Sequence, residues 1–272
     1  MTAATSLPTQ STAPSCATPV ILAADGVEKR FGGVAAVAGV SFGVEKGRIV
    51  GLIGPNGAGK TTMFDILAGD QTPTRGVVRL KGRAVETEPA HLRIKSGLGR
   101  TFQIPRPFAA LSLIENVMLG AQGQAGEHIW ANWLMPARVA RQERETYDKA
   151  METLAFVGLT HLAHEPARVL SGGQRKLLEL ARVLMADPDI LLLDEPAAGV
   201  NPSLLEVIIE RILDLNARGM TFLIIEHNMD MVARLCGHVL VMASGKLLTD
   251  GAPDDVVRDP RVIEAYLGGA VA

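Results

Sequence analysis

Short apolar runs alternate with helical patterns through most of this chain. An apolar run over residues 48–53 leads into a glycine-rich segment and then a helical pattern from Thr61 to Ala68, with Gly69 placed to end that helix. Later runs over 190–193 and 222–225 are entirely apolar, which is typical of strands buried on both faces. Strands alternating with helices predict an α/β fold built on a mostly parallel sheet flanked by helices.

Other patterns surround this core. Residues 20–45 predict two strands joined near Phe31-Gly32-Gly33, and Val77–Leu80 predicts another strand, which together form an N-terminal antiparallel β part. A further core strand is expected from Gly97 to Gln103. Residues 105–170 have helical periodicity and predict an inserted α-helical subdomain, with helices over 113–122 and 141–157 and a shorter piece over 159–164. A hairpin is expected around Ala243–Lys246 and a helical tail over 253–267.

These patterns divide the chain into five segments. Residues 1–19 are rich in Thr, Ser, Ala and Pro with almost no charge, so we expect a flexible tail. The others are the first part of the α/β core at 20–104, the helical subdomain at 105–170, the remainder of the core at 171–251 and the C-terminal helical tail at 252–272.

The composition limits location and partners. A net charge of −2 gives no general attraction to nucleic acid or anionic lipid, and no run of 18 apolar residues is present to span a membrane. The first basic residue is Lys29 and no apolar segment precedes it, so we expect no secretory signal. Cys16 and Cys236 are interpreted as free thiols in a reducing compartment, which favours a cytoplasmic location.

The segment Gly54–Thr61 has the pattern G-x-x-x-x-G-K-[ST] at every fixed position. Glycines let the loop turn its N–H groups toward phosphate oxygens, and the following helix N-terminus adds positive potential. Lys60 would reach the β- and γ-phosphates and Thr61 would place its hydroxyl on Mg²⁺. An ordinary glycine-rich turn is the alternative, but the complete match between a strand and a helix favours a phosphate site.

A second segment, Leu170-Ser171-Gly172-Gly173-Gln174, opens a predicted helix over 175–186. Ser171 and Gln174 have the spacing of a capping box, so a well-capped helix is the plain interpretation. Two glycines in a first turn cost helix stability, by up to about 1 kcal/mol each. They are better explained if the backbone must approach an anion closely.

Two carboxylates follow the apolar run at 190–193. Asp194 ends a buried strand, where a carboxylate is costly unless it binds a cation or accepts hydrogen bonds, and holding Mg²⁺ with Thr61 meets that need. Glu195 could orient and deprotonate an attacking water. A helix cap or a salt bridge is the alternative role for this pair.

The phosphate loop, the Leu-Ser-Gly-Gly-Gln segment, the strand ending in Asp194-Glu195 and a strand followed by His227 resemble, in this order, the ATP-binding cassette (ABC) ATPases. The resemblance covers roughly Val20 to Gly251. It implies ATP and Mg²⁺ as ligands and catalytic roles for Glu195, His227 and Gln103, with Gln103 sensing Mg²⁺ and the γ-phosphate. It implies Mg²⁺ contacts from Thr61, Gln103 and Asp194, and nucleotide contacts from Phe31, Gly54, Asn56, Gly57, Gly59, Lys60, Thr61, Thr62, Ser171, Gly173 and Gln174.

Some of these roles have structural alternatives. Phe31 stands where the family places an aromatic ring on adenine, and a core residue is the alternative. His227 resembles the histidine that contacts the γ-phosphate, and a purely structural histidine is the alternative. Trp130 and Trp133 mark a segment that either packs between helices or faces a membrane or a partner. Asn201 stands where many cassettes have an aspartate at the dimer seam.

Segments 194–202, 100–103 and 262–268 resemble the ATPase of branched-chain amino-acid uptake systems. The resemblance implies an energy-coupling subunit of an importer, on the cytoplasmic side of the membrane. Its partners would be two permease subunits and a second ATPase subunit, identical or different, with a solute-binding protein acting indirectly and no nucleic acid. Alternatives are ATPases of urea or amide uptake or of lipopolysaccharide export, a soluble ABC protein acting on DNA or ribosomes, and a GTPase or small-molecule kinase.

Overall fold

The computed structural model describes residues 18–101, 105–124, 133 and 135–268. Its strands are β1 (Val20–Phe31), β2 (Val34–Glu45), β3 (Ile49–Ile53), β4 (Arg75–Leu80), β5 (Arg83–Ala84), β6 (Leu98–Arg100), β7 (Ile190–Asp194), β8 (Thr221–Ile225), β9 (His238–Ala243) and β10 (Lys246–Gly251). Its helices are α1 (Lys60–Ala68), α2 (Ala90–Lys95), α3 (Leu113–Met118), α4 (Pro136–Phe156), α5 (Gly172–Leu184), α6 (Pro202–Ala217), α7 (Met229–Leu235), α8 (Pro253–Arg258) and α9 (Pro260–Gly268). Single 3₁₀ turns lie at Thr160–Leu162 and Ala167–Val169.

The antiparallel sheet has the strand order β2-β1-β4-β5. β1 and β2 form a hairpin in which Phe31 pairs with Val34 across the turn at Gly32-Gly33. The prediction of an N-terminal antiparallel β part is therefore confirmed.

The larger sheet has the order β10-β9-β3-β8-β7-β6. Its pairs from β9 to β6 are parallel, and β10 adds an antiparallel edge through the predicted hairpin. This is the mostly parallel sheet flanked by helices that the alternating pattern predicts.

Both faces of the parallel sheet are buried, which explains why its strands are continuous apolar runs. On β7, Leu191 and Leu193 face a core shared with the helices, whereas Ile190 and Leu192 face a core shared with α1 and the antiparallel sheet. The sheet is thus the middle layer of the molecule, between the antiparallel sheet and a helical layer.

Helices α3, α4 and α5 pack together and share the helical-layer core, with Ala150 and Leu154 of α4 and Leu177 and Leu178 of α5 buried in it. Helix α3 begins with a capping box in which Ser112 and Glu115 exchange hydrogen bonds.

Several boundaries differ from the predicted ones. Helix α3 ends at Met118 rather than near Gln122, where Gly120 passes so close to α5 that a Cβ atom would lie 2.0 Å from the Arg182 carbonyl oxygen. Helix α4 begins five residues earlier than predicted, at Pro136, because proline suits the first helical position. The C-terminal tail is two helices separated at Asp259, since Pro260 disfavours a helical residue before it. Neither β5 nor α2 was expected.

The five-segment division stays a prediction. Helices α3 and α4 fall within residues 105–170, and α8 and α9 within residues 252–272. Most of the predicted tail, together with Gln103 and Trp130, lies outside the described residues. Trp133 is described, and 79% of it is exposed.

Candidate nucleotide-binding and hydrolysis site

The candidate site lies where parallel strands end. Strands β3, β8 and β7 are neighbours and run in the same direction, so the segments that follow them emerge at one edge of the sheet. The phosphate loop follows β3, Asp194 and Glu195 end β7, and His227 follows β8. Ligands of open α/β sheets bind at this edge, beyond the carboxyl ends of the strands.

The phosphate loop is packed too closely for side chains at two of its glycines. Gly54 has φ 147°, and a Cβ atom there would lie 2.0 Å from the carbonyl oxygen of Met242 on β9. Gly59 has φ 96°, and a Cβ atom there would lie 2.3 Å from the carbonyl oxygen of Ala36 on β2. The loop therefore packs closely against both sheets. Gly54 and Gly59 are required by the fold as well as by phosphate binding.

Lys60 is buried, with 6% of the residue exposed. Its Nζ donates hydrogen bonds to the carbonyl oxygens of Gly54, at 2.7 Å, and Pro55, at 3.0 Å. Burial lowers the pKa of Lys60, whereas the negative charges of Glu195 and Asp194 raise it. The lysine is thus held inside the loop and faces the carboxylates that follow β7.

Helix α1 starts without a side-chain cap. Its N-cap residue is Gly59, and no acidic residue lies in its first turn. Helices α2, α4 and α8 also lack a side-chain cap, whereas α3, α5, α6 and α7 are capped by the side chains of Ser112, Ser171, Asn201 and Asn228. The first N–H groups of a helix need external partners, so the start of α1 is suited to an anion.

Asp194 is 5% exposed, and burial raises its pKa, while the positive charge of Arg100 lowers it. The Arg100 guanidinium lies 3.5 Å from Asp194 and also pairs with Asp65 and Asp70. Asp194 and Thr61 line one cleft of about 710 Å³. A buried carboxylate and a hydroxyl on one cleft fit Mg²⁺, which prefers oxygen ligands and usually keeps several waters.

Glu195 and His227 meet across the edge of the sheet. The Glu195 carboxylate lies 3.0 Å from His227 Nε2, and 20% of the Glu195 side chain is exposed. The Glu195 backbone has φ 48°, and its N–H donates to the carbonyl oxygen of Ile225 at the end of β8. A carboxylate and an imidazole in contact beside a phosphate loop can accept and pass on a proton.

Two predicted nucleotide contacts lie elsewhere. Phe31 ends β1 in the antiparallel sheet, and its ring is 48% exposed with the Lys29 ammonium 5.3 Å from the ring centre. Ser171 and Gln174 form a capping box at the start of α5. Gly173 packs against Val200 and against Leu204 of α6, where an added Cβ atom would lie 3.2 Å from Val200 Cγ1 and 3.3 Å from Leu204 Cδ1, so one of the two glycines has a packing role within the chain.

A family model described as ABC transporter matches residues 37–198, which include the phosphate loop, α5 and the end of β7. The chain belongs to this family. A second model, described as branched-chain amino acid ATP-binding cassette transporter, matches residues 246–272.

Curated relatives agree with this assignment. The chain is 40% identical to the probable branched-chain amino acid transport ATP-binding protein LivG of Archaeoglobus fulgidus, over 91% of this chain and 95% of the relative. It is also 40% identical to the high-affinity branched-chain amino acid transport ATP-binding protein BraF of Pseudomonas aeruginosa, over 92% and 98%. A solved nucleotide-free cassette of an ABC transporter superposes with a TM-score of 0.80 at 34% identity, over 91% and 99% of the chains.

The ABC assignment confirms the predicted fold class, nucleotide binding, ATP hydrolysis and the role of energy-coupling subunit of a transporter. Within this ABC ATPase, the structure brings Lys60, Asp194, Glu195 and His227 together. It places Phe31 on the β1–β2 hairpin and Ser171, Gly173 and Gln174 at the start of α5. Gln103 lies outside the described residues.

Asn201 has a local role in the ABC ATPase. It is the N-cap of α6, and its side-chain oxygen accepts a hydrogen bond from the Leu204 N–H at 2.9 Å. Asparagine and aspartate serve equally well at this position of a helix, so the helix start tolerates the exchange.

Sequence reasoning missed three residues near the site. Arg100 pairs with Asp194, the Lys176 ammonium of α5 donates to the Glu195 carbonyl oxygen, and the Glu226 carboxylate contacts the loops on both sides of the Glu195–His227 pair. For Glu226, the sequence signal was its position as a charged residue directly after an apolar strand.

Proposed function

We propose that this ABC ATPase powers the import of branched-chain or related hydrophobic amino acids. Support comes from the relatives, whose names specify branched-chain amino acid transport, and from the family model that matches the C-terminal 27 residues, 246–272. The observation that carries the chemistry is the 3.0 Å contact between the Glu195 carboxylate and His227 Nε2, at the sheet edge where Lys60 begins α1.

ATP would bind with its phosphates at the start of α1. The N–H groups there would donate hydrogen bonds to phosphate oxygens, and Lys60 can exchange its hydrogen bonds with two loop carbonyls for stronger, charge-assisted ones with the phosphates. The exposed ring of Phe31 would stack on the adenine. Asn56, Gly57 and Thr62 complete the loop that surrounds the phosphates.

Mg²⁺ would be held by Thr61 and Asp194, with Gln103 as the predicted third contact. When bound, the ion neutralises charge on the phosphates. Arg100 lies against the same carboxylate and holds it in place through its pairs with Asp65 and Asp70.

Glu195 would act as the general base for hydrolysis. It orients a water, accepts a proton as the water oxygen attacks the γ-phosphorus, and ADP departs as the leaving group. His227, in contact with the Glu195 carboxylate, would hold the γ-phosphate and fix the orientation of the base. Most of the catalysis in such a site comes from positioning and charge, which these rigid strand ends provide.

The working site would be shared between two ABC ATPase subunits, identical or different. Within one subunit, the start of α1 already provides an anion site for the phosphates. A second helix start that contacts the γ-phosphate is most easily supplied by the other ATPase subunit, through its Ser171, Gly173 and Gln174. Packing within the chain does not require glycine at position 172, since an added Cβ would make an ordinary van der Waals contact with the Gly199 carbonyl oxygen, at 3.6 Å.

The ATPase would sit on the cytoplasmic side of the membrane through two permease subunits, with the solute-binding protein acting indirectly. In the described part of the chain, no helix combines the length and apolar character needed to cross a bilayer.

The general base and the shared site are tested with the variant Glu195→Gln. Its side chain keeps the size and the hydrogen-bonding ability of glutamate but cannot accept the proton from water. With Mg-ATP we expect this variant to bind nucleotide without turnover and to form a stable dimer, alone or with a companion cassette, as measured by light scattering. Adding Ser171→Arg should abolish the dimer, whereas Ser41→Arg, an exposed serine on β2, should not. Hydrolysis at the parent rate, or a monomer in every mixture, would contradict the shared site.

A further inference from the structure

Glu226 is a buried carboxylate at the end of β8, and 3% of it is exposed. Burying a carboxylate is costly unless hydrogen bonds or opposite charges compensate it. Three backbone N–H groups donate to it, from Ala197 at 2.7 Å, His227 at 2.9 Å and Asn228 at 3.1 Å.

The two oxygens of this carboxylate serve different loops. Oε1 accepts from Ala197, two residues after Glu195 in the loop that follows β7. Oε2 accepts from His227 and Asn228, in the loop that follows β8. Glu226 therefore links the segment that carries the base to the segment that carries the histidine.

A lysine completes the arrangement. Lys176 of α5 donates to the Glu195 carbonyl oxygen. Burial lowers the pKa of Lys176, and Glu226 is the largest of the negative charges that raise it. Glu226 is thus near enough for its negative charge to act on an ammonium that is itself bonded to the backbone of Glu195.

We propose that Glu226 is a positioning residue for ATP hydrolysis, which holds Glu195 and His227 in the contact that the reaction uses. The proposal rests on the roles proposed for those two residues. Their side chains belong to separate loops, and the 3.0 Å contact between them depends on how those loops are placed. Displacing catalytic groups by about 1 Å can cost about 100-fold in rate.

A carboxylate is the group that fits this position, because it accepts hydrogen bonds at both ends. Glutamine has one acceptor oxygen, so its amide N–H₂ would face backbone N–H donors on one of the two loops. Aspartate keeps the negative charge near Lys176 but is one methylene shorter and reaches only one loop well. Glu226→Gln should therefore lose the hydrogen bonds to one loop because its N–H₂ group cannot accept them. Glu226→Asp should lose the hydrogen bonds to one loop because its side chain is too short.

The experiment measures ATP hydrolysis and nucleotide affinity in the full-length chain with Glu226→Gln, Glu226→Asp and the surface control Glu206→Gln. Glu206 pairs with Arg234 on exposed parts of α6 and α7, so its variant removes the same charge from an ion pair that lies outside both loops. We expect kcat to fall about 10- to 100-fold in both Glu226 variants, with the Kd for a fluorescent ATP analogue within about twofold of the parent. The control should keep the parent kcat.

A double-mutant cycle with His227→Ala separates positioning from general structure. If Glu226 acts through the Glu195–His227 pair, Glu226→Gln should lower kcat by no more than about twofold once His227 is absent. The proposal is overturned if the kcat losses of Glu226→Gln and His227→Ala multiply in full in the double variant. It is also overturned if either folded Glu226 variant keeps the parent kcat. If His227→Ala itself keeps the parent rate, the role proposed for His227 fails instead.

Thermal melting of each variant identifies a loss of folding. Glu226→Asp, which preserves the negative charge near Lys176, then carries the test if the glutamine variant does not fold. A folded aspartate variant with reduced kcat and unchanged Kd supports the proposal, and one with parent kcat rejects it.

Discussion

At the scale of single residues, the phosphate loop holds its own lysine. The Lys60 ammonium donates to the carbonyl oxygens of Gly54 and Pro55 within the loop. These hydrogen bonds keep its positive charge at the N-terminus of α1, where it adds to that of the helix dipole.

Lys60 should recognise the phosphates of ATP, and Phe31 should recognise its base. Lys60→Ala removes the cation from the phosphates and should lower ATP turnover by about 100-fold or more. Phe31→Ala removes a stacking surface of about 1–3 kcal/mol and should mainly raise the Kd for ATP. Titration of both variants with ATP, alongside turnover measurements, tests this division, and unchanged affinity in Phe31→Ala would remove the stacking role.

The residues that sequence predicted well are those set by local pattern. The phosphate loop, the Ser171–Gln174 capping box and the Asp194-Glu195 end of β7 each depend on neighbours within a few positions. Glu226 was missed because its contact with Ala197 spans 29 positions. The 19-position contact of Lys176 with Glu195 was missed for the same reason, because only the folded chain brings such groups together.

At the scale of elements, α1 is anchored at its C-terminal end by Arg93. The Arg93 guanidinium is fully buried and donates to the carbonyl oxygens of Ile66, at 2.6 Å, and Leu67, at 2.7 Å, while Nε donates to the Glu88 carbonyl oxygen. These include carbonyls at the end of α1 that have no partner within the helix. A cation there also complements the helix dipole.

Arg93→Met should destabilise the protein by about 3 kcal/mol, because it removes two buried hydrogen bonds and a partly buried one and leaves the Leu67 carbonyl without its Arg93 donor. Urea denaturation measures this loss, with Lys95→Met as the matched control on the exposed side of the same helix. We expect less than about 0.5 kcal/mol for the control. Equal stability of the two variants would show that α1 does not need this anchor.

Element types were predictable from periodicity, whereas several boundaries were not. The proline that begins α4 extends the helix five residues ahead of the predicted start. The early end of α3 depends on the approach of Gly120 to α5, which is a tertiary contact and leaves no local signal.

At the scale of the whole molecule, a cleft of about 710 Å³ reaches from Thr61 and Asp194 to Arg106, Leu119 and Arg182. Phe108 lies nearby, 54% exposed, with the Arg182 guanidinium 5.5 Å from its ring centre. The buried Asn116 exchanges hydrogen bonds with the backbone of Phe108 and so fixes this exposed ring in place. We propose that this apolar segment, which includes Pro105 and Pro107, receives a helix of a permease subunit.

Phe108→Asp should uncouple transport from hydrolysis, since an apolar anchor of about 2 kcal/mol or more is replaced by a charge. The isolated subunit should still bind ATP with the parent affinity. Uptake in membrane vesicles, compared with crosslinking to the permease, gives the measurement, and Ala110→Asp in the same exposed segment is the control. Normal uptake together with efficient crosslinking in Phe108→Asp would contradict this docking site.

The left-handed backbone of Glu195, with φ 48°, carries a further consequence for the history of this sequence. A glutamate in that conformation costs on the order of 1 kcal/mol, which glycine would not incur. Selection for stability alone would therefore favour replacement of Glu195, and the role proposed for it in hydrolysis would oppose that change. Variants that keep the fold but escape the need to hydrolyse ATP should drift toward glycine or asparagine at this position first.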